Sequence, residues 1–407
     1  MDSKEKRRLI FCTLSLAEQI GGIFGETIVM VCDEGGQASF SQLLSTLANF
    51  PKLNKLLVAG DRRQLSVYLE EFPEAVRNGL GLDTIIWNLD KAPGVDRTTL
   101  ETNFRSHPEL TECIQAGAYT AHGERLIAGR TAVEMDRLTG QTPIKLPSRN
   151  TPLVLIHQTD PMTQDVTSFS ASNPEQTRTV VDLLLVLRTR LTGSIRVICF
   201  YAGQAKEVGI ALAEKQMDDV IVSTADGCQC HECDLSIIAT TKAGLTSIDG
   251  SGAFWNDERR VNMAFSRGKF GMIVIGDFKM LWSAGGIWRR FLKKALKKTV
   301  AVTPDYIETM VDPAADYENG VLVGSNGSVK AANFYDEWKD GDYIKNKPTT
   351  SQSNDEWNGF ANSGFAQSAS TEQQQRGGRR GEPVQLCHRC RRPGHLMRDC
   401  LEDEVPS

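Results

Sequence analysis

Over residues 1–300, short apolar runs alternate with longer amphipathic stretches, and this alternation restricts the fold more than any other feature of the chain. The runs at 27–32, 55–59, 153–157, 195–200, 220–223, 235–240 and 271–275 are nearly continuous in apolar residues rather than apolar at every second position. A strand with one face in water alternates, whereas a strand buried on both faces does not. Between the runs, residues 39–48, 174–191 and 202–216 space their apolar side chains three and four apart, as a helix lying on a sheet requires. The predicted fold class is therefore α/β, with parallel sheets built from strand–helix–strand units. At 407 residues the chain can hold two or three domains, each with its own core.

The net charge of −5 excludes attraction of the whole molecule to phosphate, so any nucleic-acid contact must come from local basic patches. No apolar run approaches the roughly 18–20 residues of a membrane span. Residues 1–8 are charged and 9–17 are interrupted by polar groups, a pattern of neither signal peptide nor anchor, and no membrane partner is expected. Of the ten cysteines, Cys12, Cys32, Cys113 and Cys199 stand singly, and the other six form the clusters Cys228/Cys230/Cys233 and Cys387/Cys390/Cys400. That distribution fits a reducing compartment, cytoplasm or nucleus, with thiols buried or bound to metal.

Toward the C-terminus the periodicity fades from about residue 303. Residues 336–382 are rich in Ser, Gln, Asn and Gly, a composition that cannot offset chain entropy and predicts a disordered linker open to protein partners. The tract ends in Arg376-Gly377-Gly378-Arg379-Arg380-Gly381, which reads either as an arginine–glycine RNA-binding segment or as a flexible basic linker. A helix is predicted over 282–298. Its basic face, Arg289, Arg290, Lys293, Lys294, Lys297 and Lys298, is either solvated or in contact with nucleic acid.

Cys387-x2-Cys390-x4-His395-x4-Cys400 supplies three thiolates and an imidazole, the donor set of a closed tetrahedral zinc site. So short a segment has no core, and one structural zinc would supply its folding energy, roughly 10–16 kcal/mol in comparable peptides. The motif resembles the CCHC zinc knuckle of RNA-binding proteins, which implies single-stranded RNA as partner. Arg389, Arg391, Arg392 and Arg398 would then hold phosphate. His388 and Met397 stand where knuckles usually carry a stacking aromatic residue.

The run at 27–32 ends in Asp33-Glu34-Gly35-Gly36-Gln37. In nucleotide-hydrolysing folds the first of two such carboxylates orients magnesium and the second activates water, though an isolated pair after a strand is by default a solvated turn. Four further segments follow in order: Gly60-Asp61-Arg62-Arg63-Gln64-Leu65, Thr102-Asn103-Phe104-Arg105-Ser106-His107-Pro108, Ser223 to Glu232, and Asp257 to Lys269. The five together closely resemble motifs II to VI of superfamily 1 helicases, in the branch that holds the nonsense-mediated-decay helicase, over residues 9–282. The resemblance implies RecA-like sheets, with a partial first domain at 1–97 and a second at 98–300. A linker at 301–384 and the knuckle at 385–402 would follow. It also implies ATP and Mg2+ as cofactors. Asp33 would hold magnesium, Glu34 would be the base for water and Gln64 would read the γ-phosphate. Arg105 and Arg267 would stabilise the transferring phosphoryl group, where the alternative for both is a surface ion pair. Asp61, Glu232 and Arg260 would contact the nucleotide or its water network.

Two features depart from the family. Gln229-Cys230 stands where relatives carry Gln-Gly, and no G-x-x-x-x-G-K-[ST] loop for the β- and γ-phosphates occurs in the sequence. The first RecA-like domain is therefore expected to begin part-way through. Cys228, Cys230, His231 and Cys233 either bind a second metal or pack within the motif V loop. Two functions follow: the C-terminal portion of an ATP-dependent RNA helicase, or a catalytically inactive helicase-like RNA scaffold. A retroelement polyprotein fragment, suggested by the knuckle alone, has no protease or polymerase signature beside it.

Overall fold

The computed structural model describes residues 9–67, 72–138, 144–164, 170–244 and 255–325. All of them lie in one compact unit of the chain, Met1–Lys339.

The principal element is a six-stranded parallel sheet in the order Ala301–Val302, Leu153–His157, Gly268–Gly276, Cys233–Ala239, Ile195–Cys199, Ile221–Thr224. Alternate residues Val154, Ile156, Val197, Cys199, Ile237 and Ile275 pack against Val180, Leu184, Val208 and Leu212 of the helices Pro174–Leu187 and Ala202–Glu214. The opposite parity, Leu155, Ile198, Ile238 and Val274, is buried as well. Burial of both faces is the physical reason these runs are nearly continuous in apolar residues. Helix starts follow local chemistry: Asn173, Ser39 and Asp257 accept from the first-turn N–H groups of Gln176, Gln42 and Arg260.

The helix expected over 282–298 is two helices, Phe278–Ala284 and Gly286–Ala295. Gly285, at φ 76°, and Gly286, at φ 51°, turn the chain between them. Both angles lie in the left-handed region that side chains disfavour. The basic face is also not bare. Arg290 donates to Gly117 O at 2.8 Å and pairs with Glu258 at 2.7 Å, and Arg289 donates to Trp282 O at 2.9 Å. Lys294 and Lys298 each reach Glu112 at 2.8 Å. These cations dock the helix on the rest of the body.

Trp288 anchors that docking. It is 0% exposed, meets Phe200 and Phe265 edge-on, and donates through its indole N–H to Trp255 O at 3.1 Å. Trp288→Ala is expected to cost about 3–5 kcal/mol through lost burial and a residual cavity. Equilibrium urea unfolding checks this, and a loss below about 1 kcal/mol would show that the pocket collapses freely.

The N-terminal part is smaller. Val29–Cys32 pairs in parallel with Lys55–Val58 as a two-stranded sheet. Its small core is Cys32, Leu43 and Ile85, with Leu14, Phe40, Val58 and Leu89 packed around it. Val31 and Leu57 remain 63% and 59% exposed. That is unusual for a parallel pair, which is normally covered on both faces.

Candidate active site

The parallel pair delivers its two acidic loops side by side, because Cys32 and Val58 are partners in register. The loops then lock together. Gly35 N–H donates to Ala59 O at 2.8 Å, and a Cβ on Gly35 would lie 2.5 Å from Val58 Cγ1. A side chain there would push the loops apart. Asp33 Oδ1 accepts the Glu34 N–H at 2.9 Å, and Gln37 Nε2 donates to Glu34 Oε2 at 3.2 Å. Glu34 itself is held at φ 52°. A non-glycine residue there costs on the order of 1–3 kcal/mol and persists only where surroundings impose it.

From the other side, Arg105 follows a short strand, Thr102–Asn103. Asn103 Oδ1 accepts the N–H groups of Arg105 at 2.8 Å and Ser106 at 3.3 Å. This side-chain bonding shapes the turn. Ser106 Oγ donates to Gly268 O at 3.0 Å, and His107 N–H to Lys269 O at 2.8 Å. Those two bonds tie the Arg105 loop to the strand that begins one residue after Arg267. Arg105 Nε donates to Glu232 Oε2 at 2.9 Å and Nη1 to Ser266 O at 3.2 Å, while Lys269 takes the other Glu232 oxygen at 2.5 Å. The Lys269 ammonium, and after it Arg105, holds the Glu232 carboxyl below its ordinary pKa.

Arg267 is 2% exposed. Its Nε donates to Met263 O at 3.0 Å, and Nη2 donates to Ser266 Oγ at 2.7 Å and Gln64 Oε1 at 3.3 Å. Burial and the neighbouring Arg105 charge pull its pKa down, yet a guanidinium remains a cation. Arg260 Nε lies 3.0 Å from Asp226 Oδ1.

Contacts across the cleft join the two sets. Cys230 Sγ donates to Glu34 Oε1 at 3.4 Å. Asp61 accepts from Tyr119 Oη at 2.6 Å, Gln64 Nε2 at 3.0 Å and Arg63 N–H at 2.7 Å. Burial and the Asp61 carboxylate push the Tyr119 phenol up, so it stays a donor. Asn262 Nδ2 donates to Arg63 O at 2.8 Å, and Glu124 pairs with Arg63 at 2.8 Å and Arg62 at 3.2 Å. The structure thus brings Glu34, Gln64, Arg105, Glu232 and Arg267 together, with Asp33 at the same loop. Asp61 ties its own loop to Tyr119, accepting from Arg63 and Gln64 within the loop and from Tyr119 outside it. Lys269 and Asn262 lay within a quoted motif without a role, whereas Tyr119 and Glu124 belong to a stretch with no motif at all.

Motif V reads as packing. Cys228 Sγ donates to Ala225 O at 3.0 Å and Cys233 Sγ approaches Arg267 O at 3.7 Å. Burial pushes Cys228 up to about 11 and Cys233 to about 12. Among the described residues no three such groups converge on a metal position. Cys387, Cys390, His395 and Cys400 lie outside the described residues, as do Arg376, Arg379, Arg380, Arg389, Arg391, Arg392 and Arg398. No helix among the described residues is long and apolar enough to cross a membrane.

Comparison with known proteins bears on the fold rather than on these side chains. Residues 84–279 match the AAA domain family, a span holding motifs IV to VI. Regulator of nonsense transcripts 1 of Dictyostelium discoideum is 25% identical over 282 residues, covering 67% of this chain and 20% of that protein. The 3'-5' exoribonuclease HELZ2 of Homo sapiens is 24% identical over 310 residues, covering 71% of this chain and 10% of that protein. The chain thus spans a fifth or less of the length of these two relatives. A solved PRRSV helicase overlaps 74% of this chain and 42% of its own at 14% identity, with a TM-score of 0.33, too low to bear on the site. The α/β body with its six-stranded parallel sheet has a RecA-like fold.

Proposed function

We propose that this chain is the C-terminal portion of an ATP-dependent superfamily 1 RNA helicase whose C-terminal zinc knuckle adds a second RNA contact. The observation that carries the reading is that Arg267 donates to Gln64 and lies within electrostatic reach of Glu34, three residues from three separate segments. The donor types suit a magnesium nucleotide. Asp33 is an exposed hard oxygen ligand beside Glu34, and Arg105 and Arg267 are cations for a phosphoryl group. Bound magnesium would neutralise charge between the phosphates. Glu34 would take the proton from water, and Gln64 would turn from Arg267 to the terminal phosphate. Gln64 and Arg267 meet one another, as do Arg105 and Glu232. Asp61 organises the Gln64 loop, and Arg260 braces motif V through Asp226. The absence of a phosphate-binding loop from these residues favours a second reading, an inactive RNA-binding scaffold.

Both readings require RNA binding. Fluorescence anisotropy with single-stranded RNA is expected to show binding at low salt that weakens steeply as salt rises. Replacing Arg376, Arg379 and Arg380 by alanine reduces the log–log salt slope by about 2, at roughly 0.7 for each phosphate no longer neutralised. Absence of binding at low salt would overturn both.

A further inference from the structure

The Glu34 carboxylate is gripped at both oxygens from different parts of the chain. Gln37, in its own loop, donates to Oε2, and Cys230, 196 positions away, donates to Oε1 across the cleft. We propose that Cys230 is a positioning residue for Glu34, its thiol fixing the plane of the carboxylate so that motif V sets the aim of a group carried by motif II. The inference rests on reading Glu34 as the base that activates water.

Several observations distinguish this from a chance contact. Cys230 sits at φ 57°. Glycine would be relaxed there but would offer no donor. Its partner Glu34 is likewise in the left-handed region, so both groups are presented by backbones that their surroundings hold in place. The loop that carries the thiol is pinned on either side. Cys228 Sγ bonds Ala225 O, and Glu232 is held by Arg105 and Lys269. The same loop that offers its thiol to Glu34 therefore also holds Arg105, linking base and arginine mechanically. Burial, and next the bond to Glu34, raises the thiol pKa, which keeps the proton on sulfur as a donor must.

The test is carbodiimide-driven labelling of carboxylates in the 407-residue chain, read by peptide mass spectrometry, with exposed Asp33 as internal reference. Cys230→Ala is expected to raise labelling of Glu34 relative to Asp33 by roughly two- to tenfold, the population an ordinary hydrogen bond controls. Cys230→Ser, which keeps a donor, restores protection. Gln37→Ala, freeing the other oxygen, raises labelling as Cys230→Ala does. An unchanged ratio in Cys230→Ala would overturn the proposal, and so would a serine variant that labels like alanine. No nucleotide is present in this assay, so it stands apart from the hydrolase reading. That reading fails separately if Glu34→Gln leaves hydrolysis intact in a protein that supplies the phosphate-binding loop.

Discussion

The 407-residue chain alone is expected to show no RNA-stimulated ATP hydrolysis, and to gain it when a segment carrying a phosphate-binding loop is supplied. Phosphoryl transfer depends on positioning and charge neutralisation, and the loop's amides and lysine hold the triphosphate in line. On the proposed reading Glu34, Gln64, Arg105 and Arg267 would surround a terminal phosphate without that grip. Once hydrolysis is restored, Arg267→Ala is expected to lower its rate by about 10³–10⁵, as removal of an arginine finger typically does. Arg267 is buried beside Gln64, so the loss falls on charge stabilisation at the transferring group rather than on a surface ion pair. Glu34→Gln abolishes the same activity. Robust RNA-stimulated turnover by the 407-residue chain, sensitive to Glu34→Gln, would show that the loop is dispensable.

The second large effect concerns metal. The chain is expected to hold one zinc, and Cys390→Ser or His395→Ala releases it and unfolds residues 387–400 while the body melts as before. The scale is set by the metal's share of folding energy in such peptides, roughly 10–16 kcal/mol, which so short a segment has no core to replace. Inductively coupled plasma analysis together with thermal unfolding reads both consequences. A wild-type chain without zinc would end the claim, and two equivalents would reopen motif V as a metal site.

Local chemistry made much of the body legible. The apolar runs at 153–157, 195–200 and 235–240 appear as strands of one parallel sheet, within a residue or two at their ends. A strand buried on both faces must be written almost wholly in apolar residues, and that constraint survives in sequence. Helix starts are equally local, since a cap such as Asn173 acts three residues away. The reading over 282–298 failed for the converse reason. Apolar spacing continues through Gly285 and Gly286, and only their backbone angles break the helix.

The site divides along the same line. The sequence by itself determined the α/β class and the order of the acidic and arginine motifs, because each depends on residue type at short spacing. Only the tertiary structure decided who meets whom in the cleft. Tyr119 reaches Asp61 over 58 positions, Arg267 reaches Gln64 over 203, and Cys230 reaches Glu34 over 196. A hydrogen bond depends on separation in space, and no periodicity of about 2 or 3.6 residues records which distant loops a folded sheet brings together.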